Sequence, residues 1–211
     1  MSELDRLLSR VPVGATARAD LAARLRGADR HYHGEAHILL LWRRHLAFGT
    51  GLALRGPPWE TLIACAIAYH DAIHDPRRHD NEAASAQLWR DARPDLPARD
   101  VAWVAGTIMA TADHLATRRE AGMEDAAWAA RLWLLDLDLT PIGEEPATFI
   151  ANAALLRREF AHLPEAEWEA GRIGFLRRLD AASRLFRTDA LGKAFQGPAR
   201  RNIALELGTG G

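Results

Sequence analysis

The sequence contains little that would tie it to a membrane, a nucleic acid or an oxidising compartment. Its one cysteine, Cys65, cannot form an intramolecular disulfide, and its apolar neighbours indicate a small core residue. No run approaches the roughly 20 apolar residues of a membrane span, and the acidic start MSELDRLLSRVPVG is unlike a signal peptide. The formal net charge of −1 is not the basic excess of a nucleic-acid binder. We therefore expect a cytoplasmic protein whose partners include neither a nucleic-acid polymer nor a membrane.

What is present is a succession of helical patterns. The 211 residues, 48% hydrophobic and 26% charged, have the composition of one well-packed domain. Helical periodicity or helix-favouring composition predicts helices at 16–26, 33–48, 60–74, 80–91, 99–115, 124–139, 146–162 and 165–187. No strand alternation interrupts them. The prediction is a single all-α domain over 1–211, with a core over about 16–187 and a short C-terminal helix near 198–207.

The stretch LIACAIAYHDAIHDPRRHDNE, residues 62–82, ends an apolar segment in imidazoles and carboxylates. An unpaired carboxylate is costly to bury, so Asp71 at the end of this helix needs a partner. His70 and Asp71 lie about 100° apart around a helix axis, and both can reach one ion beside it. Two imidazoles with two carboxylates suit Mn, Fe, Co, Ni or Zn. The second His-Asp pair, His79 and Asp80, follows a proline and two arginines, which favours a solvated loop.

The remaining donors follow in the order His, His-Asp, Asp. His33 precedes His70 and Asp71, and the acidic pair Asp136 and Asp138 comes later, each group on a different predicted helix. Here the chain resembles the HD-domain superfamily of metal-dependent phosphohydrolases, and within it a bacterial group of predicted HD hydrolases. The matching segments are RHYHGEAHI (30–38), AYHDAIHDP (68–76), DNEAASAQL (80–88), LLDLDLTPIG (134–143), RREFAHLP (157–164) and ARRNIALEL (199–207).

This resemblance implies a helical bundle with a metal ion in its cleft. It also implies that the four metal ligands are His33, His70, Asp71 and Asp138. Asp136 is the alternative to Asp138. The two residues lie two positions apart, which is about 200° around a regular helix, so they cannot both face the same ion. A helical wheel puts Asp136 nearer the apolar face, whereas the family pattern favours Asp138.

Other residues are candidates for catalysis or substrate binding. His37, one turn beyond His33, and His114 can donate hydrogen bonds, contact phosphate or hold a second ion. Arg30 is the best candidate for phosphate recognition. His74 and Asp75 occupy the spacing at which the stringent-response hydrolases of this superfamily keep a Glu-Asp pair near the attacking water. Here a histidine replaces the glutamate, and packing of His74 against Asp75 or substrate is the alternative.

The resemblance implies hydrolysis of a phosphate ester or anhydride of a small metabolite, with nucleotides among the candidates. Asp71 would hold the metal and accept a hydrogen bond from the attacking water. Two alternatives remain open. One is a di-iron HD-type oxygenase that uses His37 and His114 as extra ligands, and the other is a non-catalytic ligand-binding protein. A homodimer is compatible with the alanine-rich helices.

Overall fold

In the computed structural model, which describes residues 1–49, 54 and 56–209, the elements are helices and turns, and no described residue lies in a strand. The α-helices are α1 (Glu3–Leu8), α2 (Ala15–Leu25), α3 (Glu35–Phe48), α4 (Trp59–Tyr69), α5 (Asn81–Asp91), α6 (Ala98–Ala110), α7 (Asp125–Leu139), α8 (Pro146–Glu159), α9 (Glu165–Ala181) and α10 (Asp189–Leu207). Short 3-10 turns follow α6 and α7. The predicted all-α class is confirmed.

Helix α4 lies at the centre of the bundle. Every residue from Leu62 to Tyr69 is buried, and the helix packs against α1, α3, α5, α6 and α7. Its alanines leave room for these neighbours to approach closely, since interiors are packed to the density of organic crystals. The C-terminal end of α4 therefore brings His70 and Asp71 to a point that several helices surround.

Four helix limits differ by five residues or more from the sequence predictions, the first being the end of α6 at Ala110 rather than 115. Helix α4 ends at Tyr69, not at 74, because Ser85 Oγ then bonds the amide of Ile73 (2.9 Å) and Pro76 disfavours helical backbone before it. Helix α9 ends at Ala181 rather than 187, and α10 begins at Asp189 rather than near 198. Proline 198 lies inside α10, where its ring does not stop the helix.

The core extends beyond the predicted range of 16–187. Helix α1, which the sequence analysis missed, contributes Leu4, Leu7 and Leu8, and α10 contributes Ile203. Ser2 begins α1 with a capping box, in which Ser2 and Asp5 bond each other's backbone amides. The buried hydrophobic residues of these helices belong to one contiguous cluster, as expected of a single domain.

Cys65 is fully buried in α4, and burial raises the pKa of its thiol. The predicted role of a small core residue is confirmed. Over the described part of the chain, none of the helices combines the length and apolarity that crossing a bilayer requires.

Candidate metal centre

Four segments bring five ionisable side chains together in what we call the central cluster. These are His37 in the first turn of α3, His70 and Asp71 after α4, His114 after the turn that follows α6, and Asp138 in the last turn of α7. His70 Nε2 lies 3.0 Å from Asp71 Oδ2 and 3.5 Å from Asp138 Oδ1. His37 Nε2 lies 3.0 Å from that oxygen of Asp138, and His114 Nε2 lies 2.7 Å from the other. The donor atoms of His37, His70 and Asp138 all lie within 4.8 Å of one another, close enough to share a metal ion.

The imidazole of His70 shows why a cation fits this cluster. Its Nδ1 lies 2.9 Å from the carbonyl oxygen of Ile67, which can only accept a hydrogen bond, so Nδ1 carries a proton. If the ring is neutral, its other nitrogen, Nε2, therefore carries a lone pair. Nε2 is buried, has no hydrogen-bond partner and faces the carboxylates of Asp71 and Asp138. Such a lone pair needs a positive charge between it and the anions. Histidines that bind metals commonly donate their other N–H to a backbone carbonyl in this way.

The pKa shifts in the central cluster agree with this reasoning. Burial alone would lower the pKa of His70, but the negative charges of Asp71 and Asp138 raise it well above its ordinary value. Burial alone would raise the pKa of both carboxyls, but the neighbouring imidazoles, His70 foremost, lower the pKa of Asp71 and Asp138. The cluster thus favours positive charge at His70, and a divalent transition metal can supply that charge in place of a proton.

A second group lies beside the central cluster, and we call it the Glu159 cluster. It consists of His33, His74 and Glu159, the last residue of α8. Glu159 Oε2 lies 2.6 Å from His33 Nδ1 and 3.3 Å from His74 Nε2. Its Oε1 accepts the backbone N–H groups of Tyr32 (2.7 Å) and His33 (2.9 Å). Burial would raise the pKa of Glu159, but these hydrogen bonds lower it, so the carboxylate is charged and fixes the orientation of His33.

Glu159 was not among the candidates from the sequence. It lies in the segment RREFAHLP (157–164), to which the sequence assigned no site residue. A single acid at the end of an amphipathic helix is usually solvated, and nothing local marked this one. Its partners, Tyr32 and His33, lie 127 and 126 positions earlier in the chain.

The predicted ligands are brought together in part. His70, Asp71 and Asp138 meet as the sequence predicts, but the imidazole beside them belongs to His37. His33 is held by Glu159 in the neighbouring cluster, with its ring centroid 6.0 Å from that of His37. The structure therefore places His37, rather than His33, in the central cluster. The predicted roles of His37 were a hydrogen-bond donor, a phosphate contact or a ligand of a second ion.

The choice between Asp136 and Asp138 is resolved by their placement. Asp136 points away from the central cluster and accepts hydrogen bonds from the amides of Arg187 (2.9 Å) and Thr188 (2.6 Å) and from the Thr188 hydroxyl (2.6 Å). Burial raises the pKa of Asp136, and these bonds only partly offset it. Asp136 thus anchors the segment that leads into α10, and Asp138 is the carboxylate available to a metal.

His74 and Asp75 occupy different surroundings, although both were predicted near the attacking water. His74 belongs to the Glu159 cluster, and its ring lies 4.0 Å from that of His33 between centroids. Asp75 closes a turn, in which its Oδ1 accepts the amide of Arg77 (2.9 Å) and its backbone bonds the side chain of Asn81. It lies in neither cluster, so its catalytic role stays a prediction.

Arg30 connects the two segments that carry the clusters. One terminal nitrogen donates to the carbonyl oxygens of His33 (2.9 Å) and Asp71 (2.6 Å), and the other donates to that of Ala72 (2.9 Å). Both terminal nitrogens are therefore engaged with backbone. A contact between Arg30 and substrate phosphate stays a prediction, and the observed bonds point to a positioning role.

Replacing Arg30 with methionine separates these two roles. We expect the free energy of unfolding to fall by about 2–4 kcal/mol, because three part-buried carbonyl oxygens lose a charged donor. Denaturant unfolding followed by circular dichroism measures this, with Arg78→Met on the exposed loop as the control. A variant of unchanged stability that only binds phosphate more weakly would instead support the substrate contact.

A cavity of about 450 Å³ opens beside both clusters. His33, His114 and Asp138 form part of its wall, and side chains of α8 and α9 form much of the remainder. A molecule in this cavity would lie against donors from both clusters. Ligand pockets of 300–1,000 Å³ with a few convergent polar groups are the usual form of a small-molecule site.

Comparisons with protein-family models, with curated proteins and with solved structures found no match. The fold and the site define an all-helical protein with a group of side chains suited to a metal ion. The function of this protein is therefore inferred from the geometry of this site.

Proposed function

We propose that this protein is a metal-dependent phosphohydrolase that acts on a phosphate ester or anhydride of a small metabolite. The observation that carries the proposal is the central cluster, in which imidazoles of three segments meet two half-buried carboxylates beside a cavity. His37, His70, Asp71 and Asp138 would hold the ion, with His114 bonded to Asp138. When bound, a divalent ion lowers the pKa of a coordinated water and offsets charge on the phosphoryl oxygens.

His33 is suited to protonating the leaving group. Because Glu159 accepts from Nδ1, the other ring nitrogen, Nε2, is the one that exchanges protons, and His33 borders the cavity. The carboxylate of Glu159 holds the ring of His33 in one orientation, as in other His-carboxylate pairs. Water then forms the new P–O bond and the bond to the leaving oxygen breaks. The leaving oxygen takes the proton of His33, the attacking water gives up one proton to solvent, and His33 takes a proton back from solvent.

The proposal is tested by hydrolysis with the purified protein, stripped of metal and reloaded in turn with Mn, Fe, Co, Ni and Zn. Phosphate release is measured across phosphorylated metabolites, with Asp71→Ala as the blank. We expect release that requires a metal and is lost in the blank. Equal release by the blank would contradict the proposal.

The Glu159 cluster favours one further candidate, a di-iron oxygenase, because it places a second group of potential ligands next to the first. That function requires two ions per chain. Two irons per chain with a charge-transfer absorption band would support it, and one ion per chain would support the hydrolase. If neither activity is found, we would conclude that the protein binds a ligand without catalysing a reaction.

The proposal includes a cytoplasmic location, for which a free thiol such as Cys65 is ordinary. It also includes a small phosphorylated substrate as the main partner. Self-association into a homodimer stays a prediction.

A further inference from the structure

The wall of the cavity divides into a polar end and an apolar body. The polar end consists of Tyr32, His33, His114 and Asp138. Most of the remaining wall is hydrophobic, and it includes Phe149, Leu156, Phe160, Leu163, Trp168 and Phe175. The rings of Phe160 and Trp168 lie 5.6 Å apart between centroids, so they form a continuous aromatic surface.

The body of the cavity offers no free positive charge to an anion. Among the described residues that line it, Arg172 is the only arginine or lysine. Its Nε and a terminal nitrogen bond the two carboxylate oxygens of Glu206 at 2.8 and 3.0 Å, and its guanidinium lies 5.3 Å from the centre of the Phe149 ring. The positive charge of Arg172 is therefore paired with the carboxylate of Glu206. Glu167 adds a negative charge to the same wall.

A nucleoside polyphosphate is poorly matched to such a wall. Polyphosphates are usually recognised by several arginine or lysine side chains or by backbone amides at a helix N-terminus. Arg30, which the sequence predicts as the phosphate contact, has both terminal nitrogens on backbone carbonyls. An uncharged apolar group, in contrast, would be removed from water by the aromatic and aliphatic side chains of the wall.

We propose that the cavity binds an uncharged apolar moiety of the substrate, so that the protein acts on phosphate esters of hydrophobic alcohols rather than on nucleoside polyphosphates. The substrate class rests on the proposed function, whereas binding of the apolar group rests on the cavity alone. The phosphate would lie at the polar end, and the alkyl or aryl group would lie along α8 and α9.

Gly171 provides a way to fill the cavity. It lies in α9 on the cavity wall, and a Cβ added there meets no atom within 4 Å. Gly174, three residues on in the same helix, has equally open surroundings and does not line the cavity. Gly171→Leu and Gly174→Leu are therefore a matched pair. Both changes replace a helix-interior glycine with a better helix former, so both variants are expected to fold.

Binding is measured first with metal-free protein and the uncharged fluorescent probe N-phenyl-1-naphthylamine. We expect Gly171→Leu to weaken probe binding at least about tenfold and Gly174→Leu to leave it unchanged, since one leucine side chain displaces several buried methylenes. Metal content, measured separately after reloading, serves as the check that the metal centre is intact in both variants. Absence of probe binding to the wild-type protein, or equal binding by both variants, would overturn the proposal.

Turnover is then measured on the metal-loaded wild-type protein with n-alkyl phosphates from methyl to hexyl. We expect KM to fall about fourfold for each added methylene, which is the transfer of one methylene out of water expressed as a ratio. Preference for nucleoside triphosphates, or a KM independent of chain length, would overturn the proposed substrate class. Probe binding without any phosphate release would instead contradict the hydrolase function and leave the apolar site standing.

Discussion

Asp138→Ala is expected to abolish metal binding and hydrolysis together. Asp138 contacts His37, His70 and His114, so its loss removes the one carboxylate that three imidazoles share. We expect metal content to fall below about a tenth of an ion per chain and phosphate release to fall by about 10³-fold or more, because the metal supplies the activated water. Metal analysis after gel filtration and a phosphate-release assay measure the two losses.

The matched control is Asp136→Ala, two residues earlier in α7. Here the amides of Arg187 and Thr188 lose their acceptor, and we expect the free energy of unfolding to fall by about 2–4 kcal/mol. Metal content should stay at the wild-type level below the unfolding transition. If Asp136→Ala lost the metal and Asp138→Ala kept it, the assignment of the carboxylate ligand would be reversed.

Substitutions of the His33–Glu159 pair are expected to slow hydrolysis while the metal is retained. His33→Ala removes the proposed proton donor, and we expect kcat to fall by about 10²–10⁴-fold. Glu159→Gln keeps the size of the side chain but removes its charge, and we expect a fall of about 10–100-fold, as for other residues that orient a functional histidine. Steady-state kinetics with metal-replete protein measures both effects.

A structural role for His33 would give a different pattern. If His33 donates a proton, the loss in the His33→Ala variant should be large for alkyl phosphates and much smaller for p-nitrophenyl phosphate, whose leaving group needs no proton. Equal losses for both substrates would count against proton donation. Loss of one of two bound ions in either variant would instead support the di-iron reading of the Glu159 cluster.

Local pattern alone determined the fold class. Alanine-rich and amphipathic segments without strand alternation predicted a helical protein, and every secondary-structure element of the described residues is a helix. Helix ends were less predictable. Where α10 begins depends on the carboxylate of Asp136, which bonds the amides just before the helix. That contact spans about fifty residues, and no local pattern contains it.

Part of the site was also visible in the sequence. An apolar helix that ends in His70 and Asp71 requires a partner for a carboxylate near the core, and this reasoning needs no tertiary structure. No comparable argument from the sequence distinguishes His33 from His37 as a member of the central cluster. The two lie one turn apart on the same face of a helix, so periodicity treats them as equivalent.

The sequence by itself therefore predicted two features of this protein: a helical fold, and imidazoles and carboxylates together at the end of a buried helix. Only the tertiary structure decided whether His33 or His37 joins them. Glu159, at the end of α8, accepts hydrogen bonds from the ring N–H and the backbone N–H of His33. His37 is then the histidine beside Asp138. Hydrogen bonds between residues more than a hundred positions apart form only when the helices pack, and for that reason they leave no local signature in the sequence.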